Sequence, residues 1–315
     1  MNALPTVIGA VLPVFCIAGA GFVMRKVQWL TEEADNSLLK VTVNLLMPCL
    51  ILDKVANNEA VRHGSTVLLA PLVGFITIAL GMGIALAAAR LISLPSPAAA
   101  RTFALCVGIY NYGYVPMPLA ESLYDRETVG VLFVHNVGVD AALWTLGLML
   151  LKRDRIGNGW SKVLNPPVIA IFLALLINFS GLHARLWPFL LTTARMLGQC
   201  AIPVGLILIG ATIADHAAEF HSAQAWETVA LSCFLRLGLL PILFLLIARA
   251  LPCSVELKRV IVLQAAMPSA VFPIVMARHY QGDTSTALHV VVGTSVFGFV
   301  TMPLWIRFGA RFVGI

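Results

Sequence analysis

The sequence predicts an all-α membrane protein: ten transmembrane helices in two inverted repeats of five, with the fourth and ninth helices broken. Three observations lead there. Of 315 residues, 59% are apolar and 11% charged, where a soluble domain carries about 25% charged, and the mean hydropathy is +0.91. The chain resembles itself at an offset of 155 residues, and two of its apolar runs carry prolines and glycines in mid-span. So much apolar surface needs lipid as its solvent, which excludes a soluble enzyme, a disordered tail and a nucleic-acid-binding protein. The net charge of +6 comes from scattered basic residues and reads as loop anchoring, with no nucleic-acid partner.

A span needs about 20 apolar residues, so the chain has room for about ten. Span 1 is expected over 4–24, closed by Arg25 and Lys26; it has no basic segment ahead of its apolar run and reads as a retained span, not a secretory signal. Spans 2 and 3 are expected over 36–55 and 66–90, and spans 4 and 5 over 98–123 and 128–151. Span 5 is closed by the charged run Lys152, Arg153, Asp154, Arg155. Span 6, over 163–180, opens with Asn165-Pro166-Pro167. Spans 7 to 10 follow over 188–214, 224–250, 256–280 and 285–308. The runs are continuous and too long for membrane β-strands. Cys16, Cys49, Cys106, Cys200, Cys233 and Cys253 form no C-x-x-C pair; they are expected to be small hydrophobes, and no metal or cofactor is expected.

At the 155-residue offset Pro48 falls on Pro203, Pro97 on Pro252 and Pro118 on Pro273. Chance alone gives roughly half a coincidence. NLLMPCLIL (44–52) lies over QCAIPVGLI (199–207), pairing the amides Asn44 and Gln199. Five spans per repeat is an odd number, so the second copy crosses the membrane in the opposite sense, the plan of many secondary transporters. The expected organisation is one transmembrane domain, 1–315, with repeats of about 1–155 and 156–315. The basic cluster 152–162 favours a cytoplasmic loop between spans 5 and 6, hence both termini outside a plasma (inner) membrane.

Two segments are wrong for simple spans: 108–124, GIYNYGYVPMPLAESLY, and 264–280, QAAMPSAVFPIVMARHY. Each proline removes a backbone donor and crowds the preceding turn. Unwound backbone at membrane depth is tolerated against protein or a water-filled cavity, and matched interruptions point to a transporter's binding site. Freed N–H groups and half-helix N-termini favour an anion. Packing kinks without a ligand are the plainer alternative. Asn111 stands in the first break, and Gln264 and Ser269 flank the second; such polar groups either tie helices together or face substrate.

At these residues the chain resembles the auxin efflux carrier family, which includes plant auxin exporters and bacterial malonate and malate carriers. VLPVFCIAGAGFVMRKVQWLTEEA, NLLMPCLIL, NYGYVPMPL, CAIPVGLILIGA and QAAMPSAVFPIVMARHY carry the resemblance in order along nearly the whole chain. It implies a fold similar to the sodium/bile-acid symporters, with spans 1, 2, 6 and 7 as a scaffold and spans 3–5 and 8–10 as a moving domain. By this resemblance Asn111, Pro116 and Pro118 belong to a span-4 crossover, and Pro268 and Pro273 to a span-9 crossover. The long cytoplasmic loop of the long plant exporters is missing, so the compact bacterial members are the better likeness.

The expected substrate-binding residues are therefore Asn111, Tyr112, Gly113, Gln264, Pro268 and Ser269, with the repeat-paired amides Asn44 and Gln199. Pro116, Pro118, Pro273, Pro48 and Pro203 are the expected crossover and hinge prolines. Asp140 is the one acid clearly inside a span. His135 lies five residues before it, and His289 lies in span 10. Embedded ionisable groups are expensive and often functional. Asp140 with His135 is one expected proton relay; the alternative is a structural pair, or neutralisation of Asp140 by Arg195 or Arg236. Those two arginines, and Lys40, either counter a substrate carboxylate or snorkel and pair with protein. The expected function is a secondary carrier for a small organic anion, coupled to a proton rather than sodium, with a homodimer as the assembly considered. The alternative is an anion channel or a membrane receptor. An intramembrane enzyme is not expected, because H-E-x-x-H, G-x-S-x-G and paired embedded aspartates do not occur.

Overall fold

In lipid each apolar run must satisfy its own backbone, so the runs of this chain fold as helices. The computed structural model describes residues 4–62, 64–152, 164–182, 187–216 and 223–315. Among them every regular element is helical. In chain order these are α1 Leu4–Lys26, α2 32–55, α3 Gly64–Ala88, α4 Pro97–Gly108, α5 Pro116–Leu123 and α6 126–152. There follow α7 Pro166–Ser180, α8 Pro188–His216, α9 223–250, α10 Val255–Ala266, α11 Phe272–His279 and α12 Thr284–Val313. Within α2, α6 and α9 the helix widens into a π turn, at Thr42–Leu46, Leu143–Gly147 and Leu235–Leu239.

Among the described residues, six segments are long and apolar enough to cross a membrane: Pro5–Lys26, Gly64–Leu91, Arg126–Leu151, Pro188–Asp215, Ala225–Ala250 and Thr284–Val313. Pro166–Ser180 is a shorter apolar helix. The expected spans 98–123 and 256–280 are each two short rods, α4 with α5 and α10 with α11. Expected span 2 starts earlier than its apolar run, at Glu32, because Glu32, Glu33 and Asp35 suit the positive end of a helix. Of the basic cluster 152–162, Arg153, Arg155 and Lys162 lie outside the described residues.

Side-chain caps fix several helix starts. Ser96 accepts from Ala99 N at 3.1 Å, Asp125 from Thr128 N at 2.8 Å, Asn165 from Val168 N at 3.0 Å, Ser254 from Leu257 N at 3.3 Å and Asp283 from Thr286 N at 2.7 Å. Burial alone would raise the Asp125 carboxyl. The hydrogen bonds from Thr128 and the guanidinium of Arg259 outweigh it and hold the group below its ordinary value.

Small residues set the helix spacing. α1 packs along α8, where a Cβ on Gly21 would collide with Ile207 backbone and one on Gly210 with the Ala18 carbonyl. α3 packs along α6, where a Cβ on Gly138 would collide with the Pro71 carbonyl and one on Gly74 with the His135 carbonyl. Backbones approach this closely only where one side has no side chain. Polar ties join α1, α2, α7 and α8. Arg25 pairs with Asp35 and, at 3.1 Å, with Asp215, and Asn178 donates to the Val55 and Asn58 carbonyls at 2.8 Å each. α7 turns Phe172, Leu173, Leu176 and Phe179 outward, an apolar face that suits lipid. α4, α6 and α10 are the most enclosed elements, and the polar residues described next lie among them.

The glycine packing makes a test. Gly138→Ala should cost about 1–3 kcal/mol, the usual range for overpacking, and lower the thermal midpoint of the detergent-purified protein. Gly9→Ala, with nothing within 4 Å of the added carbon, should leave that midpoint unchanged or raise it. Equal midpoints for the two variants would contradict the packing.

Candidate functional site

The two proline-rich breaks meet. α4 ends at Gly108 and α5 begins at Pro116; α10 ends at Ala266 and α11 begins at Phe272. The residues between are not helical, and Tyr110 and Ser269 form an antiparallel bridge. Asn111 N donates to the Pro268 carbonyl at 2.8 Å, and Ala270 N donates to the Ile109 carbonyl at 2.9 Å. Ile109 and Tyr110 are fully buried, and Asn111, Gln264 and Ser269 are buried too. Prolines release backbone groups from both helices, and at this depth water cannot satisfy them. Each break supplies what the other lacks.

Polar side chains on neighbouring helices hold the breaks in place. From α6, Asn136 Nδ2 donates to the Tyr112 carbonyl at 2.7 Å. From α12, Thr294 Oγ1 accepts from Ser269 N at 3.2 Å. Gln264 Nε2 reaches the Tyr112 carbonyl at 3.4 Å and Asn136 Oδ1 at 3.5 Å. The Tyr110 hydroxyl lies 2.9 Å from Thr77 Oγ1 and 3.5 Å from His135 Nε2. The Gln264 Oε1 and Ser269 Oγ atoms are buried without a hydrogen-bond partner among the described residues.

The expected site residues therefore divide. Asn111, Tyr112, Gln264, Pro268 and Ser269 come together at the paired breaks. Asn111 Oδ1 also accepts from Val115 N at 3.4 Å, steadying the first turn of α5. Gly113 lies in the first break, where its carbonyl accepts from Met117 N at 3.2 Å; a Cβ there would only touch Met117, so no tight approach requires the glycine. Pro116 opens α5, Pro118 sits in its first turn, and Pro273 stands in the first turn of α11. Asn44 and Gln199 are exposed on α2 and α8 and make no contact with the breaks; Asn44 Nδ2 is satisfied by the Lys40 carbonyl at 2.7 Å. Helix continues through Pro48, which follows the π turn of α2, and through Pro203 inside α8.

The direct pairing of Asp140 with His135 is not found. Residues five apart on a helix point about 140° away from each other. Asp140 accepts from the Tyr112 hydroxyl at 2.8 Å and from Asn165 Nδ2 at 3.4 Å. His135 instead faces Tyr110 and, through Nδ1, Asn136 Oδ1 at 3.4 Å. Nor does Arg195 or Arg236 neutralise Asp140. Arg195 is exposed and pairs with Asp53 at 3.3 Å, and the Arg236 guanidinium lies against the end of α10. Lys40 is exposed, and His289 is half-buried on α12. A cleft of about 400 Å³, lined by Trp144, Asn165, Phe272, Met276, His279 and Tyr280 among others, opens beside this group. Asn165 forms one wall, so Asp140 lies one hydrogen bond behind it. Among the described residues no cluster of three or more His, Cys, Asp or Glu could hold a metal, and the six cysteines are unpaired.

Sequence reasoning did not single out Asn136 or Thr294. Asn136 carried a signal, an amide in mid-span beside His135. Thr294 carried none, since threonine hydroxyls in helices ordinarily bond their own preceding turn, as this one also does at Val290.

The membrane transport protein family profile matches residues 6–158 and 155–306. An uncharacterized transporter of Methanothermobacter thermautotrophicus is 26% identical over 307 residues, 94% of this chain and 96% of that protein. The uncharacterized transporter YfdV of Escherichia coli K12 is 25% identical over 314 residues, 95% of this chain and 96% of that protein. The uncharacterized transporter MJ1031 of Methanocaldococcus jannaschii is 23% identical over 202 residues, 62% of this chain and 64% of that protein.

The tether on the first break can be tested by stability. Asn136→Ala removes the shorter of two hydrogen bonds to the Tyr112 carbonyl, leaving the 3.4 Å contact from Gln264 Nε2, and should cost about 1 kcal/mol. Asn44→Ala removes only a bond within one exposed turn and should change stability by less than about 0.5 kcal/mol. Thermal unfolding of both variants in one detergent reads the difference; an Asn136→Ala midpoint equal to that of Asn44→Ala would refute the tether.

Proposed function

The chain belongs to the membrane transport protein family, the auxin efflux carriers that its sequence resembles, and on that premise we propose that it is a secondary active transporter of a small organic anion. The observation that carries the reading is the paired break, Asn111 N to the Pro268 carbonyl and Ala270 N to the Ile109 carbonyl. A structure with no ligand to bind would have little use for two interrupted helices joined in its interior. α5 and α11 both start at these breaks, and helix starts favour negative charge. Malonate and malate are the proposed class of substrate, bound by Asn111, Tyr112, Gln264 and Ser269.

In this reading α4 with α5 and α10 with α11 are the broken fourth and ninth of ten spans, and the chain is two inverted repeats. Local detail supports the repeat. Asp125 and Asp283, 158 residues apart, each cap the helix that follows a broken span, α6 and α12, and both bond the backbone N–H of a threonine three residues on. Asn136 and Thr294, also 158 apart, each hold a break from that same helix. The ties among α1, α2, α7 and α8 suit a scaffold against which the remaining helices slide, giving alternating access by an elevator motion. Asp140 stands where such sliding would be felt, between Tyr112 of the first break and Asn165 at the start of α7. A proton taken up there would loosen both bonds, so Asp140 is the proposed coupling acid. The protein is a multi-pass membrane protein; a plasma (inner) membrane location with both termini extracytoplasmic completes the proposal.

Reconstituted in proteoliposomes, the protein should take up malonate or malate saturably and show counterflow, which a channel does not. Asn111→Ala should raise the half-saturating concentration about tenfold, the effect of one lost hydrogen bond to a charged ligand. If no carboxylate in a broad panel is taken up or raises the thermal midpoint, the anion reading fails. Asp140→Asn should flatten the pH dependence of uptake; an unchanged pH profile would remove Asp140 from the coupling role.

A further inference from the structure

Arg236 is a positive charge sealed inside the helices with no negative partner among the described residues. It lies on the π turn of α9, Leu235–Leu239, and is fully buried. Its Nη2 lies 3.3 Å from each of the Gln264 and Ala265 carbonyls, the last turn of α10. Its guanidinium carbon lies 5.2 Å from the centre of the Tyr110 ring and 5.1 Å from that of Phe244, within the range of a cation–π contact. Its Nε and Nη1 are buried and have no hydrogen-bond partner among the described residues. The other embedded charge, Asp140, is engaged by Tyr112 and Asn165.

A helix C-terminus that ends inside a protein presents unpaired carbonyls and about half a negative charge. In transporters built on broken helices, such ends are where coupling cations are coordinated. Here the end of α10 is occupied by a cation that belongs to the chain. The guanidinium is planar and weakly hydrated, so it suits a buried seat between two aromatic faces better than an ammonium would. Its Nε and Nη1 keep N–H donors unspent, and charged N–H donors of this kind suit a carboxylate.

We propose that Arg236 is the resident cation of the transport centre: it fills the cation position at the end of α10, so the protein binds its anion without an inorganic cation such as sodium. This rests on the anion-carrier reading for the identity of the ligand but not for the occupancy of the cation position. The two unspent donors and Tyr110, which Arg236 stacks against and which is itself part of the bridge, link that position to the paired breaks. A lysine would retain the charge but lose the fork and the stacked plane.

The test uses the full-length purified protein and thermal unfolding. In wild type, replacing choline chloride by sodium chloride at equal ionic strength should move the midpoint by less than about 1 °C, since no vacant cation position remains to be filled. Arg236→Ala should lower the midpoint, and about 10 mM methylguanidinium should restore about 2 °C or more of it while leaving wild type unmoved. Stabilisation by malonate should be lost in Arg236→Ala. The proposal is overturned by a sodium-specific rise in wild type, or by an Arg236→Ala protein with wild-type stability and wild-type malonate response. If Arg236→Ala does not fold, Arg236→Lys replaces it, with weakened malonate stabilisation expected and an undiminished response overturning the proposal. Wild type that ignores both sodium and every carboxylate would sink the anion-carrier reading and leave the occupied cation position standing, so the two failures are distinguishable.

Discussion

The structure depends on one constraint: backbone polar groups at membrane depth have no water to bond. A helix meets it unaided, and most of this chain obeys as long helices. At 109–115, ahead of Pro116, and at 267–271, around Pro268, the helix is interrupted, and the constraint must be met by another segment. The two breaks meet it together, with Asn111 N on the Pro268 carbonyl and Ala270 N on the Ile109 carbonyl. Neither segment could hold its non-helical form alone. That mutual need fixes α4, α5, α10 and α11 relative to one another.

Much of the surrounding chemistry serves the same constraint. Asn136 and Thr294 take backbone groups that the bridge leaves over. Arg236 takes the carbonyls at the end of α10. Tyr110 is held from two sides, by Thr77 through its hydroxyl and by Arg236 across its ring. These groups are rigid because each is buried among partners that are buried themselves. Gln264 Oε1, Ser269 Oγ and two nitrogens of Arg236 are among the buried atoms without a hydrogen-bond partner in the described residues. Unpaired buried polar atoms are costly, and these four belong to the breaks or to the residue packed against them, which supports treating this region as a candidate site.

The glycine contacts contribute in a different way. Association within a bilayer gains little from the hydrophobic effect, so it relies on close packing and hydrogen bonds. Gly21 and Gly210 let α1 and α8 touch backbone to backbone, and Gly74 and Gly138 do the same for α3 and α6. The second contact places His135 and Asn136 against the breaks. Packing and polar satisfaction thus act on the same few turns of α6.

Composition and periodicity determined the helical class, the membrane setting, the places where helix would fail and the presence of embedded charge. Those properties are local: apolar length and paired prolines act on their own stretch of chain, although single prolines such as Pro71 and Pro203 stay inside continuous helices. Partnership was not local. The sequence grouped Asp140 with His135 because they are near in the chain, but helix geometry turns them apart and gives Asp140 to Tyr112 and Asn165. It weighted Asn44 and Gln199 for their repeat position, and both face outward, because a shared offset records where a residue lies along a helix and not which face it presents. It listed Arg236 as one embedded basic residue among several. Only the tertiary structure set that guanidinium against the end of α10 and the ring of Tyr110, since Tyr110 comes from the first break, far from α9 in the chain.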